Sequence, residues 1–179
     1  MIHILTACHR PDNLEEIAKS IPKECNWIIV FDAMVENPPV IDGAVCMESG
    51  MTGGFGSYNR NYAFENYPFE DNDWIFWLDS DNVVHPNWYE RVKEFEKSDD
   101  DVCMVTWNQL GKNMEVRLFA TDNPIVGGID SASFMCKWKY VKDLRCSTNY
   151  THDGEYAVAC ASMGKVIAID ENLSYYNYL

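Results

Sequence analysis

Residues 74–82 read WIFWLDSDN, an apolar run that ends on two aspartates, Asp79 and Asp81. The apolar part has the length and composition of a central β-strand. Alternate side chains of an extended chain lie on the same side, so the two carboxylates are expected to point the same way. Two like charges at a strand end repel each other unless a cation lies between them, and hard divalent cations prefer oxygen ligands. The stretch therefore predicts a metal-dependent site at the carboxyl edge of an α/β sheet, where ligands of open sheets bind.

The bulk composition limits the class of protein. The chain has 179 residues, of which 47% are hydrophobic and 23% charged, and this predicts one globular domain, 1–179, with a full core. The chain has a net charge of −14 and so lacks the basic surface that binding to nucleic acid or an anionic membrane requires. Neither is therefore an expected partner. No apolar stretch has membrane-spanning length, and residues 1–6 resemble a strand more than a signal peptide.

The cysteines indicate a compartment. There are seven, an odd number, scattered singly without a Cys-x-x-Cys pair. This pattern argues against a disulfide framework and a structural zinc, and it favours reduced thiols and a cytoplasmic location.

Apolar periodicity predicts a mainly parallel α/β sheet, because strands and helices alternate in the first half of the chain. The predicted strands are 2–7, 27–31, 44–47, 74–78, 102–107, 115–120, 133–136, 166–169 and 173–178. The predicted helices are 13–21, 57–66, 87–96 and 153–163, and an acidic run follows the third at 99–101. A glycine-rich loop at 50–56 precedes the second helix, where a backbone can approach a ligand closely.

Five motifs in chain order resemble those of a small GT-A fold glycosyltransferase of the family-2 type. They are TACHRP at 6–11 followed by Leu14, Asp32 after the second strand, Arg60-Asn61 after the glycine run, the Asp-x-Asp motif at 79–81, and HDGE at 152–155. The last match is looser, since His152 stands where the family has Glu. Together the motifs span nearly the whole chain.

The resemblance implies an α/β GT-A (Rossmann-like) fold with a mixed, mainly parallel sheet flanked by helices. Residues 1–82 would form the nucleotide-donor half and 83–179 the acceptor and catalytic half. The implied enzyme is a hexosyltransferase that moves a sugar from a nucleotide diphosphate donor, UDP-linked, to a hydroxyl acceptor with inversion. The implied cofactor is Mn²⁺ or Mg²⁺.

The resemblance also assigns roles to individual residues. The implied donor-binding residues are Thr6, Arg10, Asp32, Gly54, Arg60, Asn61, Asp79 and Ser80. The implied metal ligands are Asp81, Asp79 and His152, and the implied sugar or acceptor contacts are Asp130 and Gly128. Asp153 occupies the general-base position, and Glu155, two residues further on, is the second candidate catalytic residue. Arginine suits a residue that binds the nucleotide sugar, because its planar guanidinium presents two aligned N–H groups to the diphosphate oxygens.

Several alternatives remain open at this point. The two arginines can be surface charges, and Asp153 and Glu155 can be helix-capping acids. A nucleotidyltransferase would share metal and fold, although it normally has Gly-x-Gly-x-Arg after the first strand, where this chain reads ACHR at 7–10. A non-catalytic nucleotide-sugar binding module and a retaining enzyme are further alternatives. A phosphatase of the haloacid-dehalogenase type fits less well, because three strands precede the aspartate pair. An EF-hand loop fails on Val83 and Val84.

Overall fold

Strands and helices alternate along the first half of the chain in the computed structural model, which describes residues 1–97 and 101–179. The strands over these residues are β1 (Ile2–Cys8), β2 (Asn26–Phe31), β3 (Ala44–Glu48), β4 (Trp74–Trp77), β5 (Val102–Leu110), β6 (Val116–Leu118), β7 (Phe134–Lys137) and β8 (Lys165–Tyr175). The helices are α1 (Leu14–Ser20), α2 (Ser57–Asn66), α3 (Trp88–Val92), α4 (Trp138–Val141) and α5 (His152–Ala161).

All eight strands join one sheet in the order β3-β2-β1-β4-β7-β5-β6, with β8 paired to β5. The β1–β2, β2–β3, β1–β4 and β5–β8 pairs are parallel, whereas β7 runs antiparallel to both β4 and β5. The fold is therefore a mixed, mainly parallel α/β sheet, which confirms the predicted fold class. Because β7 runs in the opposite direction, the residues before it lie at the edge where β4 ends.

Strand β4 is buried on both faces, which explains its unbroken apolar sequence. Trp74 and Phe76 enter a core that also contains residues of α1 and α3. Ile75 and Trp77 enter the opposite core, formed with α2 and α5. The aspartates that follow β4 are thus fixed to the most deeply buried part of the sheet.

Some predicted elements differ from those observed. The two C-terminal strands are one long strand, β8, whose pairing with β5 shifts register three times. The polar interruption stays in the sheet because Asn108 donates to Asp170 across 3.0 Å. The third helix is short, since α3 continues as a 3₁₀ turn over Lys93–Lys97, and α4 was not predicted. Of the acidic run at 99–101, residues 99 and 100 lie outside the described residues.

The C-terminal segment is fastened to the loop after β4. The backbone N–H of Asn177 donates to Oδ1 of Asn82 at 2.7 Å. The N–H of Leu179 donates to the carbonyl of Asp81 at 3.0 Å. The aspartate loop is therefore held by residues 177–179 as well as by the strand that precedes it. Over the described ranges, no helix has the length and apolar character needed to cross a membrane.

Candidate active site

A cleft of about 750 Å³ opens at the carboxyl ends of β1, β2 and β4. The segments before β7 and at the start of α5 complete its walls, so both halves of the chain contribute. The predicted site residues that line it are Arg10, Asp32, Gly54, Arg60, Asp79, Asp81, Asp130, His152 and Asp153.

The other predicted site residues do not line this cleft: Thr6, Asn61, Ser80, Gly128 and Glu155. Thr6 is fully buried in β1, where its hydroxyl accepts a hydrogen bond from the Trp27 indole at 3.0 Å. Ser80 is also fully buried, and its carbonyl accepts from the Asn13 amide at 2.7 Å. Both side chains are fully buried, so neither reaches the cleft.

Asn61 and Glu155 instead organise the loop before α5. The Asn61 amide exchanges two hydrogen bonds with the backbone of Cys146, at 3.0 and 2.8 Å, and so ties α2 to this loop. The Glu155 carboxylate accepts from Ser147 at 2.6 Å and from Thr151 at 2.8 Å. These hydrogen bonds lower the pKa of Glu155, because they stabilise its ionised form.

The carboxylate of Asp79 is paired with a buried arginine. Arg60 is only 1% exposed, and its Nη2 contacts Oδ1 of Asp79. The hydroxyl of Ser131 donates to Oδ2 of Asp79 at 2.6 Å. The guanidinium also lies over the Trp77 ring, 4.8 Å from its centroid. Asp79 is therefore held rigidly, and most of the hydrogen-bonding capacity of Arg60 is used inside the protein.

Arg60 also fixes the tautomer of His152. A guanidinium can only donate, so Nε2 of His152 accepts from Nη1 of Arg60, at 2.6 Å. The proton then resides on Nδ1, which donates to the carbonyl of Asn149 at 3.0 Å. Burial, and next the Arg60 charge, lower the pKa of His152 and keep it neutral. Both ring nitrogens are thus occupied, which leaves neither available to a metal in this arrangement.

Asp81 is less completely compensated than Asp79. Its Oδ2 accepts from Nη1 of Arg10 at 2.8 Å, while Oδ1 has no hydrogen-bond partner within residues 1–97 and 101–179. Burial, and next the charge of Asp79, raise the pKa of Asp81. The raised pKa reports negative charge that a cation would stabilise.

The carboxylates of Asp79 and Asp81 suit a hard cation only if a bound ligand supplies further oxygen atoms. Among the described residues, no group of three or more His, Cys, Asp or Glu side chains is arranged to hold a metal ion. Cations such as Mg²⁺ are commonly held by one or two carboxylates together with substrate phosphates. Asp81, with Asp79 beside it, fits that mode of binding and does not fit an all-protein metal site.

Asp153 lines the cleft from the first turn of α5. Burial, and next the charge of Asp130, raise the pKa of Asp153 to about 6. Its Oδ1 accepts from the backbone N–H of Gly154 at 2.8 Å. A carboxylate that exchanges its proton near neutral pH, in a cleft, is suited to general-base catalysis.

Asp130 is positioned by a polar triad that includes an unpredicted arginine. Its Oδ2 accepts from Arg117 at 3.1 Å, and its Oδ1 accepts from the buried Gln109 amide at 3.2 Å. The Arg117 guanidinium lies over the Tyr176 ring, 3.8 Å from the centroid. Arg117 lies on the short strand β6 and belongs to no sequence motif, so no local pattern indicates its place in the cleft.

The glycine-rich loop approaches the cleft through left-handed backbone conformations. Gly53, Gly54 and Gly56 all have positive φ angles, of 86°, 61° and 86°. A Cβ on Gly56 would lie 2.9 Å from the Cβ of Ala7, so the loop packs directly on β1. On the far side, Oδ1 of Asp32 accepts from the N–H of Met34 at 3.0 Å, which shapes the turn after β2.

Comparisons with protein-family models and with curated protein sequences return no match. Among solved structures, TarS of S. aureus (residues 1–349) is similar with a TM-score of 0.74 and 13% identity, over 97% of this chain and 59% of that one. The mannosyltransferase PcManGT of Pyrobaculum calidifontis, in complex with GDP-Man and Mn²⁺, has a TM-score of 0.70 and 12% identity, over 98% and 56%. The inositol-1-phosphate CTP transferase of T. maritima has a TM-score of 0.50 and 14% identity, over 97% and 87%.

These similarities show the fold. The chain has a GT-A-like glycosyltransferase fold, with the mixed, mainly parallel Rossmann-like sheet that the sequence predicts. It spans less than three fifths of the length of TarS and of PcManGT, at 59% and 56%. A shared fold does not determine activity, which depends on the residues of the cleft.

Proposed function

We propose that this protein is a metal-dependent glycosyltransferase that moves a sugar from a UDP-linked donor to a hydroxyl acceptor. The observation that carries the proposal is the pairing of two kinds of carboxylate in one cleft. Asp81 follows β4 with a raised pKa and with one carboxylate oxygen that has no hydrogen-bond partner among the described residues, and Asp153 lies in the same cleft with a pKa raised to about 6. One site suits a cation and diphosphate, and the other suits proton abstraction.

On the donor side, Asp81 would hold Mn²⁺ or Mg²⁺ together with diphosphate oxygens, and Asp79 would assist through ribose or water. The cation, when bound, neutralises charge on the leaving diphosphate. Arg10 has an exposed side chain beside Asp81 and would contact the same diphosphate. Asp32 would contact the base or ribose, and the backbone at Gly54 would approach the donor closely.

On the acceptor side, Asp153 would take the proton of the attacking hydroxyl. Attack from the face opposite the leaving diphosphate gives inversion of the anomeric centre. Asp130 would bind a sugar hydroxyl, since the Arg117–Gln109 pair fixes its carboxylate. These roles assign charge stabilisation to the residues after β4 and proton transfer to the start of α5.

A nucleotidyltransferase is the second candidate, favoured by the likeness to the T. maritima CTP transferase at a TM-score of 0.50. That activity releases pyrophosphate from a nucleoside triphosphate, whereas sugar transfer releases a nucleoside diphosphate. The stretch at 7–10 reads ACHR and lacks the glycines that such enzymes place after the first strand.

The test is product analysis. The protein is incubated with UDP-sugars in MnCl₂ or EDTA, and in parallel with CTP or UTP and sugar phosphates. We expect UDP to be released in Mn²⁺ and not in EDTA, by acceptor-dependent transfer or by slow hydrolysis. Pyrophosphate release would establish the second candidate. UDP binding without any turnover would indicate a binding module.

A further inference from the structure

Two exposed aromatic rings stand at the rim of the cleft. Phe55 is 62% exposed and Tyr150 is 77% exposed, and both line the cleft. Their ring centroids lie 5.4 Å apart with an interplanar angle of 84°, an edge-to-face contact. An edge-to-face pair with this exposure leaves a large apolar area facing water, which ligand binding would cover.

The backbone holds Phe55 in a strained conformation. Its φ of 53° and ψ of 36° lie in the left-handed region, which bulky residues rarely adopt. The loop is fixed there because Gly56 packs on Ala7 and because the Phe55 carbonyl accepts from Nη1 of Arg60 at 3.3 Å. Strain of this kind persists only where the surroundings impose it, and it is concentrated at functional sites.

The backbone beside Tyr150 is held by hydrogen bonds at the start of α5. The preceding carbonyl, of Asn149, accepts from both the backbone N–H and the Nδ1–H of His152, at 3.2 and 3.0 Å. Tyr150 lies three residues before Asp153, and both residues line the cleft. The aromatic pair is therefore an exposed apolar surface carried by hydrogen-bonded backbone, and it lines the same cleft as the Asp130 and Asp153 carboxylates.

We propose that Phe55 and Tyr150 form a stacking platform for a neutral pyranose ring of the acceptor. A pyranose has an apolar C–H face and a polar rim of hydroxyls, which match the aromatic pair and the Asp130 and Asp153 carboxylates. Stacking on the rings places one hydroxyl at Asp153 for deprotonation. Aromatic side chains give such contact at a low cost in conformational entropy. The platform rests on the proposed function and assigns the acceptor to the carbohydrates.

The test uses methyl α- and β-glycosides of glucose, galactose, mannose and N-acetylglucosamine as probes. Binding is followed by saturation-transfer NMR in the presence of UDP and MnCl₂, with UDP binding measured by calorimetry on the same samples. We expect the wild-type protein to bind at least one glycoside. Phe55→Ala and Tyr150→Ala should each weaken that binding about fivefold to tenfold, with UDP affinity unchanged. Phe119→Ala, at a 69% exposed ring outside the cleft lining, is the matched control.

The outcomes separate the platform from the function. If UDP binds and no glycoside responds, or if both variants keep wild-type glycoside affinity, the platform is overturned and the transferase proposal stands. If the variants lose affinity for UDP, the rings contact the nucleotide and the platform is again overturned. If wild-type protein fails to bind UDP while a glycoside binds to the rings, the UDP-sugar function is overturned instead.

Discussion

Nη1 of Arg60 donates to Nε2 of His152 across 2.6 Å, while Nη2 of the same guanidinium contacts Asp79. One buried cation thus joins α2, the end of β4 and the start of α5. The cleft is therefore preassembled by a charge that solvent hardly reaches. Arg60, Asp79 and His152 were all predicted to bind donor or metal. In the structure, Arg60 and His152 bind protein groups and thereby hold the cleft residues in place.

Arg60→Ala is expected to destabilise the fold by about 1.5–3 kcal/mol, because it removes the charge-assisted contact between the buried guanidinium and Asp79, whose side chain is 34% exposed. Chemical denaturation monitored by tryptophan fluorescence measures this change. Arg91→Ala is the control, since Arg91 forms a half-exposed ion pair with Glu171. A loss of stability no larger than that of the control would contradict the structural role of Arg60.

Arg10→Ala is expected to act on ligand binding and leave stability nearly unchanged, because the Arg10 side chain is 50% exposed. A charge-assisted bond to the diphosphate predicts a loss of about 1.5–3 kcal/mol in UDP affinity with uridine affinity unchanged. Calorimetry with both ligands in MnCl₂ measures the difference. Equal weakening of UDP and uridine would remove Arg10 from the diphosphate site.

Metal dependence should follow Asp81 and be independent of His152. We expect UDP to bind wild-type protein more tightly in MnCl₂ than in EDTA, and Asp81→Asn to abolish the difference. His152→Gln should retain it, because both ring nitrogens of His152 already have protein partners. Calorimetry in both buffers decides between these expectations, and a metal effect lost with His152→Gln would restore the histidine as a ligand.

Asp153→Asn should slow turnover by about 10²–10⁴-fold while donor affinity stays the same, as expected for a general base. Glu155→Gln is the matched control and should remain active, since the Glu155 carboxylate is taken up by local hydrogen bonds. Steady-state rates of UDP release test both variants. If Glu155→Gln were inactive and Asp153→Asn active, Glu155 would be the general base in place of Asp153.

The rate of the same reaction should depend on pH in a defined direction. The base must be ionised, and the pKa of Asp153 is raised to about 6, so kcat/KM should rise with pH through about 6 and then level off. Asp153→Asn should lose this acidic limb. An unchanged limb in the variant would assign it to another group.

The same substitution should stabilise the protein at neutral pH. The folded-state pKa of Asp153 is about 6, above the usual value for aspartate, so the folded state binds more protons than the unfolded state between about pH 4 and 6. Stability is therefore lost as pH rises through this window. Asp153→Asn removes that cost and should raise the unfolding free energy by about 1–3 kcal/mol at pH 8, with no gain below about pH 4. Denaturation curves at the two pH values measure it.

The sequence predicted those features of the fold and site that depend on neighbouring residues, and it missed those that depend on contacts between distant residues. The apolar residues of β4 and the two aspartates that follow it are adjacent in sequence. The apolar run and the acids at its end were therefore enough to predict a buried strand with a site at its carboxyl end. The contact of Arg60 with His152 joins residues 92 positions apart, and no pattern around either residue reveals it. Arg60 and Arg10 look alike in sequence as cations near strand ends, and only burial separates their roles.

Other differences have similar causes. Asp153 and Glu155 both fit the start of a helix, and the sequence could not show that one faces the cleft and the other its own loop. Arg117 reaches the cleft because β6 pairs with the far end of β5. Phe55 was hidden within a glycine-rich loop, where its left-handed backbone follows from packing on β1 and from the bond to Arg60.

The hydrogen bond from Asn177 to Asn82 spans 95 residues of sequence. On the ribosome, the strands up to β4 emerge well before the segment that fastens the aspartate loop. The loop with Asp81 is thus among the last parts of the molecule to reach its final form, since contacts of such long range form late. Local opening of residues 177–179 would remove two of the hydrogen bonds that hold this loop while the sheet stayed folded, because local opening needs less free energy than global unfolding.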